Sequence, residues 1–241
     1  MRDLLVITPS RAGEDGSARP ERAREMIAAV RGLSTAQTDI CLAVDDDDLS
    51  RYGRVVNAFC GDRQVWWTSG PRNHLTGWTN KIAKRHLGKY RAFASLGDDH
   101  LPRTQGWDSL LLAALDAMGG TGIAYGDDGI FREGLPTAPV ISSDIVRALG
   151  WMCLPDCRHM AVDLAWKDLG LGAGCLAYVP EVSIEHVHPC AGKAAWDQTY
   201  ATSEAGKEED RAAWERWRET RMADDVARIR ALREKVSNGA V

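Results

Sequence analysis

Apolar residues along this chain fall into short continuous runs, with helical stripes between them. Residues 4–8 are one such run, ending in Pro9-Ser10, as a buried strand does when it feeds a loop. Residues 11–19 are rich in Gly, Ser and charge and read as that loop. Pro20 stands where a first helical turn accepts it, and Ala23, Met26, Ile27 and Val30 follow at helical spacing until Gly32. Residues 40–44 form a second apolar strand that stops at four aspartates, 45–48. Residues 64–68 form a third. Residues 92–96 form a fourth, stopping at Gly97-Asp98-Asp99-His100. A short run at 123–125 precedes Gly126-Asp127-Asp128. Residues 79–87 read as a basic helix, and 107–118 as a strongly apolar one closed by Gly119-Gly120.

Strands that are apolar throughout and alternate with helices predict an α/β fold, with a mostly parallel sheet covered on both faces. Ligands of such sheets bind beyond the carboxyl ends of the strands. Three of the predicted strands end in acids: Asp45, Asp98-Asp99 and Asp127-Asp128. The second half is less regular. Ser142 or Ser143 caps a helix through Leu149, and 159–169 reads as a helix ended by Gly170. Residues 175–179 and 182–186 read as strands around Pro180. From 208 to 236 a long helix carries Met222, Val226, Ile229, Leu232 and Val236 on one stripe, which we expect to dock on the domain rather than pair with a second chain. The expected division is a domain at 1–205 and a helical extension at 206–241.

The composition of the 241 residues (44% hydrophobic, 27% charged, net charge −4) is that of a soluble globular protein, not a disordered tail or fibre. No apolar run approaches the roughly 18–20 residues of a membrane span, and the start is too short and too quickly polar for a signal peptide. A cytoplasmic location is expected, with the six cysteines as reduced core residues rather than a disulfide framework. The net charge hides a pattern. Residues 51–104 hold 10 Lys/Arg against 3 Asp/Glu, whereas residues 105–210 hold 6 against 16. A basic stretch beside acidic strand ends suits a polyanionic ligand that meets carboxylates through a metal.

Several ordered features resemble the GT-A glycosyltransferases, especially the family-two-like nucleotide-sugar enzymes. They are the first strand with its Thr8-Pro9-Ser10-Arg11 turn, Val44-Asp45, Asn80-Lys81, Leu96-Gly97-Asp98-Asp99-His100, Gly106-Trp107-Asp108, and Asp163 followed by Glu185-His186-Val187-His188-Pro189. Together they cover roughly residues 3–190. The resemblance implies a GT-A, Rossmann-like mixed sheet flanked by helices, a UDP-sugar donor and a divalent metal, Mn²⁺ or Mg²⁺. It implies that Asp99 binds the metal, that Asp98 faces the ribose or a bound water, and that His186 completes the site, with His188 the alternative. His100 stands where the family's Asp-x-Asp has its second acid, so the ligand assignment within 98–100 stays open. By the same resemblance Asp45 reads the uracil or ribose, Thr8, Pro9 and Arg11 line the nucleotide pocket, and Lys81, with Arg72, meets the pyrophosphate. Asp163 matches the base of inverting relatives. Asp127 and Asp128 are its rivals for the role of base, since they also stand at the sheet edge, where they would contact the donor sugar. Asp46, Asp47 and Asp48 read as a solvated turn. Trp151 is placed to stack on a sugar or base of the acceptor, or to pack in the core.

The short, Arg/Ala/Asp-rich single domain is similar to glycosyltransferases carried by bacteriophages, which act in the host cytoplasm on hydroxymethylated pyrimidines of DNA or on virion proteins. That similarity makes DNA an expected acceptor, with protein or a cell-envelope glycan as the alternative. Three other readings compete. A zinc module would use Cys153, Cys157, His159, His186, His188 and Cys190, but their spacing is not that of a zinc knuckle. A nucleotidyltransferase would carry a glycine-rich basic signature after the first strand, where this chain has only Gly13 and Gly16. A non-catalytic nucleotide-sugar-binding protein would have little need of acids at three strand ends.

Overall fold

The computed structural model describes residues 1–12 and 18–237. In chain order the elements are β1 (Arg2–Pro9), α1 (Arg19–Leu33), β2 (Thr38–Asp45), α2 (Gly53–Ala58), β3 (Val65–Gly70), α3 (His74–His86), β4 (Tyr90–Ser95), β5 (His100–Pro102) and α4 (Trp107–Ala117). They continue with β6 (Ile123–Asp127), β7 (Val140–Ser142), α5 (Ser143–Leu149), α6 (Val162–Ala173), β8 (Leu176–His186), α7 (Gln198–Ala205), α8 (Lys207–Thr220) and α9 (Met222–Ser237). The strands form one sheet in the order β3-β2-β1-β4-β7-β6-β8-β5. β1 to β4 are mutually parallel, β7 runs antiparallel between β4 and β6, and β8 is parallel to β6. Six strands therefore point their carboxyl ends to one edge, where Pro9, Asp45, Asp127 and His186 all stand. This is the expected mixed, mostly parallel α/β sheet flanked by helices.

Alternation along each strand divides the core into two layers. Leu5 and Ile7 of β1, Cys41 and Ala43 of β2 and Phe93 of β4 face α3, α5 and α6. Leu4 and Val6, Ile40 and Leu42, and Ala92 and Ala94 face α1, α2 and α4. The stripe read from α1 is the one the fold buries: Ala23, Met26, Ile27 and Val30.

The C-terminal helices dock on the first layer. Ala213, Trp217, Val226 and Ile229 are buried in the same cluster as Trp166 and Leu169 of α6. Gly172 allows the close approach, since a Cβ there would lie 2.8 Å from a methyl of Val226. The expected single helix over 208–236 is two helices, divided at Arg221, whose backbone leaves helical geometry. A straight rod would carry its apolar stripe past α6; the bend keeps both halves against the same layer.

Other departures from the sequence pattern are local. Gly170 does not end α6. It lies inside the helix, where its missing side chain makes room for Leu176 at a would-be Cβ distance of 2.8 Å. The two strands expected around Pro180 are one strand, with an irregular register between Gly126 and Asp127 of its partner. Cys41, Cys153, Cys157 and Cys175 are buried thiols, but Cys60 and Cys190 are exposed. Asp48 is not solvated: it is fully buried and accepts from the Ala12 N–H and from Arg51. The Gly106-Trp107-Asp108 segment is a structural clasp. Trp107 is fully buried, and Asp108 accepts from the Thr35 and Ala36 N–H groups and from Thr38 Oγ1.

Candidate active site

Strand pairing builds the centre of the site. β5 lies antiparallel to β8 with His100 directly opposite His186, so the two imidazoles stack with centroids 4.1 Å apart. The end of β8 then ties both acidic loops together. The His186 N–H donates to the Asp128 carbonyl at 3.0 Å, and the next N–H, of Val187, donates to the Asp99 carbonyl at 2.8 Å. Gly97 is required by crowding: a Cβ there would lie 2.5 Å from Asp99 Oδ1 and 2.9 Å from His100 Nδ1.

The resulting cluster is buried and polar. Asp99 Oδ1 lies 3.2 Å from His100 Nδ1, and Asp99 Oδ2 lies 3.7 Å from His186 Nε2. Burial pushes the Asp99 carboxyl up, yet its hydrogen bonds with His100 and His186 hold it well below the usual carboxylate range. Burial likewise opposes charge on His186, but Asp128 and Asp99 outweigh it and raise its pKa to about 9. Burial and the charge of His186 lower that of His100. Asp98 goes the other way, raised by burial against the pull of Arg19.

Two residues that sequence reasoning missed close the cluster. Arg19 is buried at the start of α1. It donates from Nη1 to Asp98 Oδ1 at 2.6 Å and from Nε to Asp197 Oδ2 at 2.9 Å, and it lies 3.5 Å from Asp99 Oδ2. Tyr200 donates its hydroxyl to Asp99 Oδ2 at 2.8 Å, and its ring lies under the Arg19 guanidinium at 4.0 Å. A signal for Arg19 exists in the sequence. An arginine in the first turn of a helix is disfavoured by the macrodipole and calls for carboxylates nearby. Asp197 reads as a helix cap and serves as one for Tyr200, but its reach to Arg19, 178 positions away, has no local signature.

Asp99, His100 and His186 fit a divalent cation. Their ligand atoms all lie within 4.8 Å of one another, the one such convergence of His, Cys, Asp or Glu among the described residues. His100 Nε2 is buried with no protein hydrogen-bond partner, the condition of an imidazole short of a ligand, and His186 Nδ1 has only Asp128 Oδ2 near it, at 3.9 Å. Two nitrogens and one carboxylate oxygen suit a borderline cation better than Mg²⁺, which prefers oxygen. The cysteines of the zinc reading do not join this group. Burial pushes Cys153 up, and Cys157 up to about 12, away from the thiolate that zinc requires.

A second polar cluster forms at the end of β2. Asp45 accepts from Arg11 at 2.9 Å, from Trp78 Nε1 at 2.8 Å and from the Asn73 N–H at 3.2 Å. Arg11 also grips Asp47 through both terminal nitrogens at 2.8 Å. Thr8 is fully buried beside this edge with its hydroxyl unpartnered, and Pro9 ends β1 half-buried. Lys81 is exposed, its ammonium 4.6 Å from the centre of the Trp78 ring.

The remaining expected residues are spread around this edge. Asp128 is buried and spends one oxygen on the N–H groups of Ile130, Phe131 and Arg132 at 2.7–2.9 Å, and the other on Thr137 at 3.0 Å. Its Oδ2 also lies 3.9 Å from His186 Nδ1. Asp127 makes a local turn with the Gly129 N–H at 2.7 Å. Asp163 lies half-buried in the first turn of α6, its carboxyl pushed up by burial and close enough to feel the charges of His186 and Asp128. Trp151 packs edge-on against Trp217 at 6.1 Å and is half-buried there. His188 stands beside the cluster, its ring edge-on to Tyr200 at 4.7 Å and its Nδ1 2.9 Å from Cys190 Sγ.

No family model and no curated protein sequence matches the chain. Solved structures do. Residues 1–349 of TarS from S. aureus superpose with a TM-score of 0.55 at 11% identity, covering 98% of this chain and 92% of that one. Glucosyl-3-phosphoglycerate synthase from Mycobacterium tuberculosis, in complex with Mn²⁺, UDP-glucose and phosphoglyceric acid, gives 0.52 at 12%, covering 84% and 78%. A cytidylyltransferase from Leptospira borgpetersenii gives 0.53 at 12%, covering 74% and 75%. At these identities the likeness is one of fold, and the fold is GT-A-like, that of nucleotide-diphospho-sugar transferases. Among the described residues no helix is long and apolar enough to cross a membrane.

Proposed function

We propose that this chain is a metal-dependent glycosyltransferase, of the compact kind carried by bacteriophages, that moves a sugar from a UDP-sugar to a hydroxyl acceptor. The observation that carries the reading is the buried Asp99–His100–His186 cluster beside Asp98, at the carboxyl edge of a GT-A-like sheet. Mn²⁺ is the cation we assign to it, on the precedent of the Mn²⁺ complex of glucosyl-3-phosphoglycerate synthase, with Mg²⁺ the alternative. The best acceptor is a 5-hydroxymethylpyrimidine in DNA, and the transfer is inverting.

In this reading Asp45, fixed by Arg11 and Trp78, hydrogen-bonds the nucleoside, and Thr8 offers its unpartnered hydroxyl to the same group. Pro9 shapes the turn that brings Arg11 to Asp45. Lys81 sits at the rim with its charge free for a phosphate. Asp98, held by Ser10 and Arg19, orients the ribose, and Asp127 meets the donor sugar. When bound, the cation would offset the charge that gathers on the diphosphate as the bond from C1 to the phosphate oxygen breaks. The acceptor oxygen attacks C1, UDP leaves with the bonding electrons, and the hydroxyl proton passes to Asp163. A carboxyl raised by burial suits that step, since a base works best with a pKa near the working pH. Asp128 supports His186 rather than reacting, because its oxygens are already committed to backbone N–H groups and Thr137. Trp151 contributes to the acceptor side through the wall it forms with Trp217.

A donor-by-acceptor screen that reads UDP release, with and without Mn²⁺, tests the reading. UDP release that requires both metal and hydroxymethylated DNA is the expected result. Labelling of protein or glycan alone would move the acceptor, and unchanged UDP-sugar throughout would leave a binding protein. The cytidylyltransferase neighbour favours one further outcome for the same screen, pyrophosphate release from a nucleoside triphosphate.

A further inference from the structure

Most surface arginines of this protein are spent on carboxylates, as Arg24 on Glu21, Arg103 on Glu185 and Arg221 on Asp156 show. The segment 51–104 is different. Of its ten Lys and Arg residues, only Arg51, Arg91 and Arg103 have a carboxylate within 4 Å among the described residues. The other seven have no carboxylate that close, and five of these lie on or beside α3. Lys81, Lys84 and Arg85 recur at i, i+3 and i+4 on the exposed face of the helix, opposite its buried Trp78, Thr79, Ile82 and Ala83. Arg72 precedes the helix and Lys89 follows it, both exposed.

The stripe has a direction. It starts at the nucleotide pocket, where Lys81 rests on the Trp78 ring that hydrogen-bonds Asp45, and it runs down the side of the sheet to Lys89. At about 1.5 Å per residue the 13-residue helix is about 20 Å long, the span of roughly six phosphates at about 3.4 Å along one DNA strand. A row of like charges on one helix face repels itself, and a polyanion laid along it removes that repulsion while releasing its own counter-ions.

We infer that the exposed face of α3, with Lys81, Lys84 and Arg85 and the flanking Arg72 and Lys89, is the docking surface for the phosphodiester backbone of the acceptor DNA. The surface holds the strand by charge and leaves the choice of base to the pocket. This assignment rests on the DNA reading of the acceptor given above.

The test is fluorescence anisotropy of a labelled 30-base-pair duplex with the full-length protein, over 50–300 mM NaCl. The probe variant is Lys84→Glu/Arg85→Glu/Lys89→Glu, which spares Lys81 and the pocket. Each phosphate that is no longer neutralised should reduce the slope of log K against log[NaCl] by about 0.9, so the triple variant should lose between about 2 and 3 in slope and at least tenfold in affinity at 50 mM salt. UDP binding should not change. The Lys84→Gln/Arg85→Gln/Lys89→Gln variant gives the same reading without charge reversal, should the first fail to fold. A wild type that does not bind the duplex, or a triple variant with the wild-type slope, overturns the surface. The two proposals fail separately. Glycosylation of hydroxymethylated DNA with an unchanged KM in the triple variant would discard the surface and keep the acceptor. Salt-dependent binding through α3 without transfer to any DNA would keep the surface and discard the acceptor.

Discussion

The chain contains the tripeptide Gly-Asp-Asp twice, at 97–99 just after β4 and at 126–128 across the end of β6, in the same sheet. Consecutive N–H groups at the end of β8 bind the carbonyl of the last aspartate in each. The two carboxylates nevertheless differ in kind. Asp128 is satisfied by three backbone N–H groups and a threonine, all part of the loop it organises. Asp99 meets imidazoles, a phenol and a guanidinium, all on side chains rather than on the backbone of its own loop. A carboxylate bound by its own loop holds a shape. One bound by side chains from several elements can exchange a partner for a ligand. The same three letters therefore encode a brace in one place and a candidate metal ligand in the other.

Substitution should separate the two most widely. Asp99→Ala should lower kcat/KM by about a thousandfold or more and abolish stoichiometric Mn²⁺ binding in calorimetry. Full activity in that variant would remove Asp99 from the metal site. Chelation of the wild type should reproduce the activity loss, and added Mn²⁺ should reverse it.

Asp163→Asn should cost between about a hundredfold and ten-thousandfold in kcat with a modest change in KM, the range of a lost general base. The pH profile checks the same residue. The base form is the carboxylate and burial raises its pKa, so kcat/KM of the wild type should fall as the pH drops through a value above the ordinary 4 or so. The variant should lack that limb.

Asp128→Ala should act on stability instead. It strands three N–H groups in a partly buried loop, which calls for a loss of about 3 kcal/mol in urea unfolding. Asp128→Ala with native stability and dead chemistry would make the two copies alike after all. The smallest effect is expected of Tyr200→Phe, which removes one hydrogen bond to Asp99. A cost of about 1 kcal/mol or less, with a small gain in metal affinity, would mark that hydroxyl as an exchangeable partner.

Much of the scaffold was legible because it depends on local periodicity. The stripe Ala23, Met26, Ile27 and Val30 predicts the buried face of α1, and the apolar runs before Asp45 and Asp98 predict β2 and β4 with their acids at the carboxyl edge. Short elements were not legible. β5 and β7 have three residues each, too few to show a period, yet β5 is what sets His100 against His186. The candidate site divides in the same way. Asp45, Asp99 and His186 carry signals in type and position. Trp78, Arg19 and Tyr200 reach the carboxylates of the site by contacts that no local pattern announces.

What the sequence determined by itself is the α/β alternation, the edge to which the acids are delivered and the excess of positive charge in 51–104. These follow from hydrophobic period and residue type, which act over a turn or two of chain. Tertiary structure alone decided which aspartate is tied up by its own loop and which meets side chains from several elements. It also decided that His100 belongs with His186, and that Arg19 and Tyr200 lie over Asp98 and Asp99. Each of these depends on strand register or on partners up to 178 positions apart, and a carboxylate's role is set by the groups that fill its lone pairs rather than by its neighbours in the chain.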